Sequence, residues 1–422
     1  MALTKKGYKQ RIIDSKIKQN LKIFGAISIE GPKWCGKTWT ALNHANSVVY
    51  LNNVSNNFNE RELAKMNVDL ILNKEYPQLI DEWQEVPAIW DGIRFKCDED
   101  NVRGKYILTG SATPVTNDIH HSGAGRICRM KMYTMSLYES GDSTGEVSLN
   151  DLFSNNIKDK MIDKVDLRKL ISLIIRGGWP QSINMTEEEA LIISQSYIND
   201  ILNFDISNID GVKRDINKMR MILRSLARNE STVVSNNTII NDVNEEHDIA
   251  SKNTVIDYID ILDKLKLIEN QSAFSVNLRS SSRVGKSAKR HFTDVSLVCA
   301  ILGLNYEKLI NNVKFLGFLF ESLCERDLRI YIESYNGNLY HFRDNTTGLE
   351  IDSIVEMPDG EYGAIEIKLG TDKIEEAAEN LLKFNSIVQK KPKFLCVISG
   401  LHEAIIKRPD GVYVIPITVL RP

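Results

Sequence analysis

The chain has 422 residues, too many for one ordinary hydrophobic core, and this length predicts two or three domains. Its 42% hydrophobic and 26% charged content is that of a soluble globular protein. The formal net charge of -3 excludes a globally basic protein that coats nucleic acid, so any such contact has to come from a local patch. The six cysteines (Cys35, Cys97, Cys128, Cys299, Cys324 and Cys396) are scattered without a C-x-x-C pair. That spacing argues against zinc and against a disulfide framework, and fits a reducing cytosol. The first twenty residues are basic and polar, no apolar run approaches the length of a membrane span, and no internal repeat is visible. A cytoplasmic location without a membrane partner is therefore expected.

In chain order, residues 9–21 carry Ile12, Ile13, Ile17 and Leu21 at helical spacing, and residues 26–29 form an apolar run that reads as a strand. Then comes Gly31-Pro32-Lys33-Trp34-Cys35-Gly36-Lys37-Thr38, the pattern G-x-x-x-x-G-K-T, with Trp39 opening a helix. A strand, a glycine-bounded loop and a helix are the context that a phosphate-binding loop requires. Gly31 and Gly36 let backbone N–H groups converge on phosphate oxygens. Lys37 places a charge at the β- and γ-phosphates, and the Thr38 hydroxyl can ligate Mg²⁺. The nine residues from Gly31 to Trp39 are expected to hold ATP, with Mg²⁺ as its cofactor.

Residues 47–51 read as a second strand, and residues 78–84 as a third that ends in Asp81-Glu82. At the end of such a strand Asp81 can hold Mg²⁺ and Glu82 can act as the base that polarises the attacking water. The next strand, residues 105–109, runs into Gly110-Ser111-Ala112-Thr113 and offers Thr109 and Ser111 as sensors of the γ-phosphate. Arg126, on a glycine-flanked segment, is a candidate to stabilise the transferring phosphoryl group, from this subunit or a neighbour in a homo-oligomer.

The loop, Leu79-Ile80-Asp81-Glu82-Trp83-Gln84, Leu108-Thr109-Gly110-Ser111 and Gly125-Arg126 occur in an order that resembles a prokaryotic family. These are the AAA-type ATP-binding proteins that carry a C-terminal domain of unknown function, numbered 4143. The resemblance covers nearly the whole chain. It implies a parallel-sheet P-loop fold with the acidic pair on a strand neighbouring the loop's own, and a C-terminal domain similar to the PD-(D/E)xK nuclease fold. Lys33 stands where arginine is expected in the loop, and both are basic.

Residues 142–166 are polar and read as a loop off the ATPase core. A helical pattern from residue 167 ends at Gly177-Gly178-Trp179-Pro180, and a second spans residues 187–206. Residues 219–228 and 253–265 read as helices, the latter capped by Ser251, and residues 267–274 as a strand. That order suggests a winged helix–turn–helix. Its reading helix, however, exposes Asp257, Asp260 and Asp263, which repel phosphate. Positive charge follows at Arg279, Arg283, Lys286, Lys289 and Arg290, where it can clamp a DNA backbone or bridge to another protein or domain.

Further on, residues 338–343, 350–355 and 363–368 read as three strands. Asp352, Glu366 and Lys368 fall at the D-x13-E-x-K spacing of PD-(D/E)xK nucleases. Alternation sets Glu366 and Lys368 on one face of a strand, and Asp352 on its neighbour can join them. Two carboxylates so placed can hold Mg²⁺ while the lysine orients water; Glu321, on the preceding helix, can add a third. A further helix (375–384) and strand (393–398) complete an αβββαβ order.

The expected architecture is therefore α/β. A P-loop ATPase (1–140) precedes a helical region (141–215), a winged-helix-like domain (216–292) and a nuclease-like α/β domain (293–422). Two functions are consistent with it. One is an ATPase whose nucleotide state controls a nuclease acting on DNA; the other is a nucleotide-gated switch whose nuclease-like fold is catalytically silent.

Overall fold

The computed structural model describes residues 3–100, 102–111, 119–209, 211–244, 250–275, 287–344 and 346–422, with only the backbone of residue 208. Ala112, Thr113, Arg279, Arg283 and Lys286 lie outside the described residues. The chain divides into two compact units. The first comprises residues 1–134, 205–213 and 261–266, and the second residues 135–204, 214–260 and 267–422. Among the described residues no helix is long and apolar enough to cross a membrane.

The first unit is built on a five-stranded sheet: β1 (Ala26–Glu30), β2 (Ser47–Tyr50), β3 (Gln78–Asp81), β4 (Tyr106–Gly110) and β5 (Ile127–Lys131). All pairings are parallel, in the order β2-β3-β4-β1-β5. Alternation buries both faces. Ile27, Ile29, Leu79 and Ile107 pack on one side with Ile17 and Leu42, while Ile80, Tyr106 and Leu108 pack on the other with Trp83 and Trp90. Burial on both faces is why these strands read as near-continuous apolar runs. The strand order corrects one expectation: β4 lies between the loop's strand, β1, and the acidic strand, β3, so these two are not neighbours.

In the second unit, β6 (Val147–Ser148) and β7 (Lys160–Met161) flank the short helix Leu149–Phe153. Residues 142–166 are therefore not a loop off the first unit. Helices follow at Leu167–Arg176, Glu187–Asp200, Ile216–Arg228, Asn236–Val243 and Lys252–Lys264. The small strand β8 (Thr232–Val233) pairs with β10 (Lys289–Phe292), which also pairs with β9 (Ile268–Gln271), giving an antiparallel sheet in the order β8-β10-β9.

The long helix Val313–Ser334 leads into β11 (Asn338–Arg343), β12 (Glu350–Glu356) and β13 (Tyr362–Lys368), then the helix Ile374–Ile387 and β14 (Leu395–Ser399). With β15 (Ala404–Lys407) and β16 (Tyr413–Pro416), they form a seven-stranded sheet in the order β11-β12-β13-β14-β16-β15-β7. The final strand β17 (Leu420–Arg421) pairs with β6. The core of this sheet gathers Phe274, Phe342, Ile354, Tyr362, Phe384 and Val397.

The Gly177-Gly178-Trp179 stop is a packing node. Gly177 takes φ +67°, and a Cβ on Gly178 would come within 2.1 Å of the Met135 carbonyl. The Gly178 N–H donates to Asp294 at 2.9 Å, and the Trp179 indole donates to Ser296 at 2.9 Å. Arg326 closes the node with ion pairs to Asp294 (3.1 Å) and Asp327 (2.7 Å), and Asp327 in turn accepts the Leu137 N–H. All three charged groups are buried. Arg326→Ala leaves two carboxylates without their cation and is expected to cost about 3–5 kcal/mol. Urea unfolding of the second unit measures that loss, and exposed Lys383→Ala serves as the unchanged control.

Candidate functional site

The phosphate loop joins β1 to the helix Lys37–Leu42. Gly31 is required by close approach, since a Cβ there would meet the Met132 carbonyl at 2.1 Å; Gly36 is required by its φ of +100°. The Lys37 ammonium is buried and donates to the carbonyls of Gly31 (2.9 Å) and Pro32 (2.7 Å). Cys35 is fully buried, whereas Trp34 in the loop and Trp39 in the helix after it are half exposed. Lys33 pairs with Asp205 at 2.6 Å.

Asp81 ends β3 and accepts two hydroxyl hydrogen bonds on one oxygen, from Thr38 (2.8 Å) and from Thr109 (2.7 Å). Thr109 sits on the intervening strand β4, so Asp81 is tied both to that strand and, through Thr38, to the helix that follows the loop. Glu82 follows in the left-handed region (φ +57°), which turns its carboxylate away from the strand. That carboxylate accepts from Ser111 (3.3 Å) and from the Gln84 amide. The structure thus brings Lys37, Thr38, Asp81 and Thr109 together, with Glu82 and Ser111 beside them.

Arg126 is elsewhere. Its carbonyl accepts the N–H of Ala26 at the start of β1, a strand length of roughly 15 Å from the loop that follows Glu30. Its exposed guanidinium pairs with Asp98 at 2.7 Å. A role for Arg126 on the phosphates of its own subunit is therefore corrected. A buried arginine that carries no motif acts at the loop instead. Arg11 donates to the Cys35 carbonyl (2.8 Å) and to the carbonyls of Tyr133 (2.9 Å) and Thr134 (3.1 Å).

The second constellation lies in the second unit. Lys368 Nζ reaches both Asp352 (3.0 Å) and Glu366 (2.5 Å), so the three residues meet as the spacing predicts. The Ile367 N–H also donates to Asp352, at 2.8 Å. Two further acids join from the helix Val313–Ser334: Glu321, ion-paired with Lys289, and Glu325, which accepts from Ser353 and from Gln271. Glu321 and Glu325 are one helical turn apart, a spacing that could have revealed the pair. Lys289 gave no such signal, because it stands in a basic run that reads as solvated. It is buried, and Arg290 is half-buried against Val234 and Asn236, so neither is a free clamp for DNA.

Burial pushes the Asp352 carboxyl up, but Lys368, Lys289 and the Ile367 N–H outweigh it and hold it well below the usual carboxylate range. Burial and the neighbouring Asp352 charge push Glu366 well up despite Lys368. Burial likewise lifts Glu321 to about 8 and Glu325 to about 7, against the pull of Lys289. Lys368 bridges Asp352 and Glu366 at the place where the spacing set a cradle for Mg²⁺. Among the described residues no group of three or more His, Cys, Asp or Glu side chains is arranged to hold a metal ion.

Comparison with known proteins divides the chain into three matched segments. Residues 24–141 match the model of an AAA domain, residues 167–308 a domain of unknown function (8612) and residues 316–420 a domain of unknown function (4143). The matches to the AAA domain and to the 4143 domain stand in the order the sequence implies. An uncharacterized protein of Haemophilus influenzae is 24% identical over 252 residues, 57% of this chain. The match spans 56% of that relative's length. Among solved structures, a Walker-type ATPase of Pyrococcus abyssi aligns at a TM-score of 0.43 and 12% identity, over 71% of this chain and 98% of its own. RuvB of Thermotoga maritima aligns at 0.27 and 12% identity (61% and 88%). AMPPCP-bound DnaA of Aquifex aeolicus aligns at 0.25 and 16% identity (59% and 86%).

Next to the carboxylate cluster, Glu230 is buried, accepts from Ser322 (2.6 Å) and the Phe292 N–H, and is pushed up by burial to about 8. A carboxyl that ordinarily titrates at 4.5 then keeps its proton in the folded state where the unfolded chain releases it. The stability it contributes is fully present below that value and is lost as pH rises toward about 8. Glu321 and Glu325 act with the same sign. Unfolding followed from pH 5 to 8 should show the second unit weakening, and Glu230→Gln should flatten that slope.

Proposed function

We propose that the first unit binds ATP with Mg²⁺ and hydrolyses it, and that its nucleotide state switches the second unit. The observation that carries this reading is the meeting of Thr38, Thr109 and Asp81 above a loop whose lysine is held by its own carbonyls. The residues fit the ligands. Lys37 exchanges the Gly31 and Pro32 carbonyls for β- and γ-phosphate oxygens, and the loop N–H groups cradle the rest. Thr38 and Asp81 are the pair that would hold Mg²⁺, which when bound neutralises charge on the transferring phosphoryl group. Glu82 takes a proton from the attacking water, and Ser111 and Gln84 fix the orientation of its carboxylate. Trp34 and Trp39 offer aromatic faces beside the nucleotide. Arg126 can act on the phosphates only from a neighbouring copy.

For the second unit, the helix–βββ–helix–β order supports a nuclease-like domain, and the helices and small sheet that precede it support a winged-helix reading. Lys368 between Asp352 and Glu366 favours the silent switch over the cutting enzyme. The inward turn of Lys289 and Arg290 favours a bridge within the protein over a grip on DNA. Incubation of the purified protein with DNA, Mg²⁺ and ATP beside Asp352→Ala tests this, and equal absence of cleavage in both is expected.

Lys37→Ala should weaken ATP binding about a hundredfold, the worth of charge-assisted contacts to phosphate, in a protein that stays folded. Calorimetric titration with ATP measures the loss, and unchanged affinity would sink the assignment. Glu82→Gln should retain ATP while phosphate release falls by about 10² or more. Turnover at the normal rate in that variant would place the base elsewhere.

A further inference from the structure

A PD-(D/E)xK-like domain that held a divalent cation would hold it among Asp352, Glu366 and Glu321, and these residues do not fit one as they stand. We propose that Lys289 is the resident cation of this cluster: its ammonium fills the place between Glu321 and Asp352 and keeps the carboxylates closed to divalent metal. The inference rests on reading the second unit as nuclease-like and adds to Lys368 a second lysine, from outside the D-x13-E-x-K spacing, that keeps metal out.

Lys289 opens β10, in the small antiparallel sheet, and not in the seven-stranded sheet that carries Asp352 and Glu366. Its side chain is only 9% exposed and ends at Glu321, with Asp352 Oδ1 at 3.8 Å. The other oxygen of Asp352, Oδ2, belongs to Lys368 at 3.0 Å. The two ammonium groups thus take one oxygen each of the same carboxylate. Gln271, on the adjacent β9, donates to Glu325 at 2.8 Å. One small sheet therefore supplies both the charge and the amide that satisfy the acids of the long helix.

The count of charges is what separates this arrangement from an ordinary buried ion pair. Four carboxylates (Glu321, Glu325, Asp352 and Glu366) converge on two ammonium groups and on the Arg329 guanidinium, which lies near Glu325 and is itself paired with Glu269, where a structural pair needs one of each. Buried carboxylates repel unless a cation or a proton answers them. A divalent ion would answer two of them from one position. A lysine answers with a single charge on a four-carbon stem anchored in another sheet.

The test compares wild type, Lys289→Met and Lys289→Met/Asp352→Asn, all without nucleotide, titrated with MnCl₂. Bound Mn²⁺ is read by electron paramagnetic resonance, and thermal midpoints are followed in parallel. Any Mn²⁺ at Thr38 and Asp81 is common to the three proteins and subtracts. Lys289→Met should gain a Mn²⁺ site at least tenfold tighter than anything in wild type, with a midpoint raised by the metal. Asp352→Asn should remove the gain. No gain in folded Lys289→Met overturns the proposal, as does a wild-type site of equal strength that Asp352→Asn abolishes. If Lys289→Met does not fold, Lys289→Gln, which removes the charge and keeps a hydrogen-bonding side chain beside Glu321, takes its place. Mn²⁺ binding by that protein supports the proposal, and its absence overturns it. DNA cleavage by wild type would overturn the silent reading. Absence of Mn²⁺ binding in the variants, with wild type still uncutting, would overturn only the role of Lys289.

Discussion

A charge taken out of water must be met by opposite charge or by a full set of hydrogen bonds, and this requirement organises both units. In the first unit it acts on cations. Lys37 and Arg11 are both buried, and both are answered by backbone carbonyls of the loop or of the segment after β5. These contacts hold the loop in a conformation that its two glycines permit. On the proposed reading, phosphate oxygens then replace carbonyls at Lys37 and not water, so little rearrangement accompanies nucleotide entry.

The sheet order gives Asp81 its neighbours. Because β4 separates the loop's strand from the acidic strand, Asp81 can address Thr38 only across the end of β4, where Thr109 stands. Thr109 donates to the same carboxylate oxygen as Thr38. On the proposed reading, its position serves the placing of the carboxylate that would hold metal as much as the sensing of phosphate. Glu82, forced into a left-handed backbone conformation, leaves the line of the strand and finds Ser111 and Gln84. Two adjacent acids are thereby given different surroundings, as different tasks require.

The second unit meets the same requirement with anions. Arg326 answers Asp294 and Asp327 where the chain from Met135 and the Gly177-Gly178 turn come together. Lys368 and Lys289 answer the acids of β12, β13 and the long helix. Where positive charge falls short, burial leaves carboxyls raised, and the unit becomes sensitive to pH near neutrality. Side chains at the spacing of a nuclease and an active nuclease are therefore different things. The first is set by strand alternation, and the second by which cation the acids accept.

Contiguous motifs were legible in the sequence because their physics is local. The phosphate loop needs only its own glycines, lysine and threonine. The acidic pair at the end of β3 and the meeting of Asp352, Glu366 and Lys368 follow from strand ends and period-two alternation. The helices at residues 167–176, 216–228 and 252–264 follow from apolar spacing, and the strands β11 to β14 with the helix before β14 from their order along the chain. Contacts between distant segments decided the rest. Nothing near Arg11 marks it as a clamp on Cys35, and nothing near Lys289 says that it turns inward, because a cation in a polar run looks the same whether solvated or buried. The insertion of β4 between β1 and β3, the recruitment of residues 147–161 into strands of the second unit, and the place of Arg126 at the far end of β1 are likewise matters of topology. Short-range preference determines which segments can become strands and loops. Which charges meet is settled only when the chain folds, since burial prices each charge by the partners that tertiary structure brings to it.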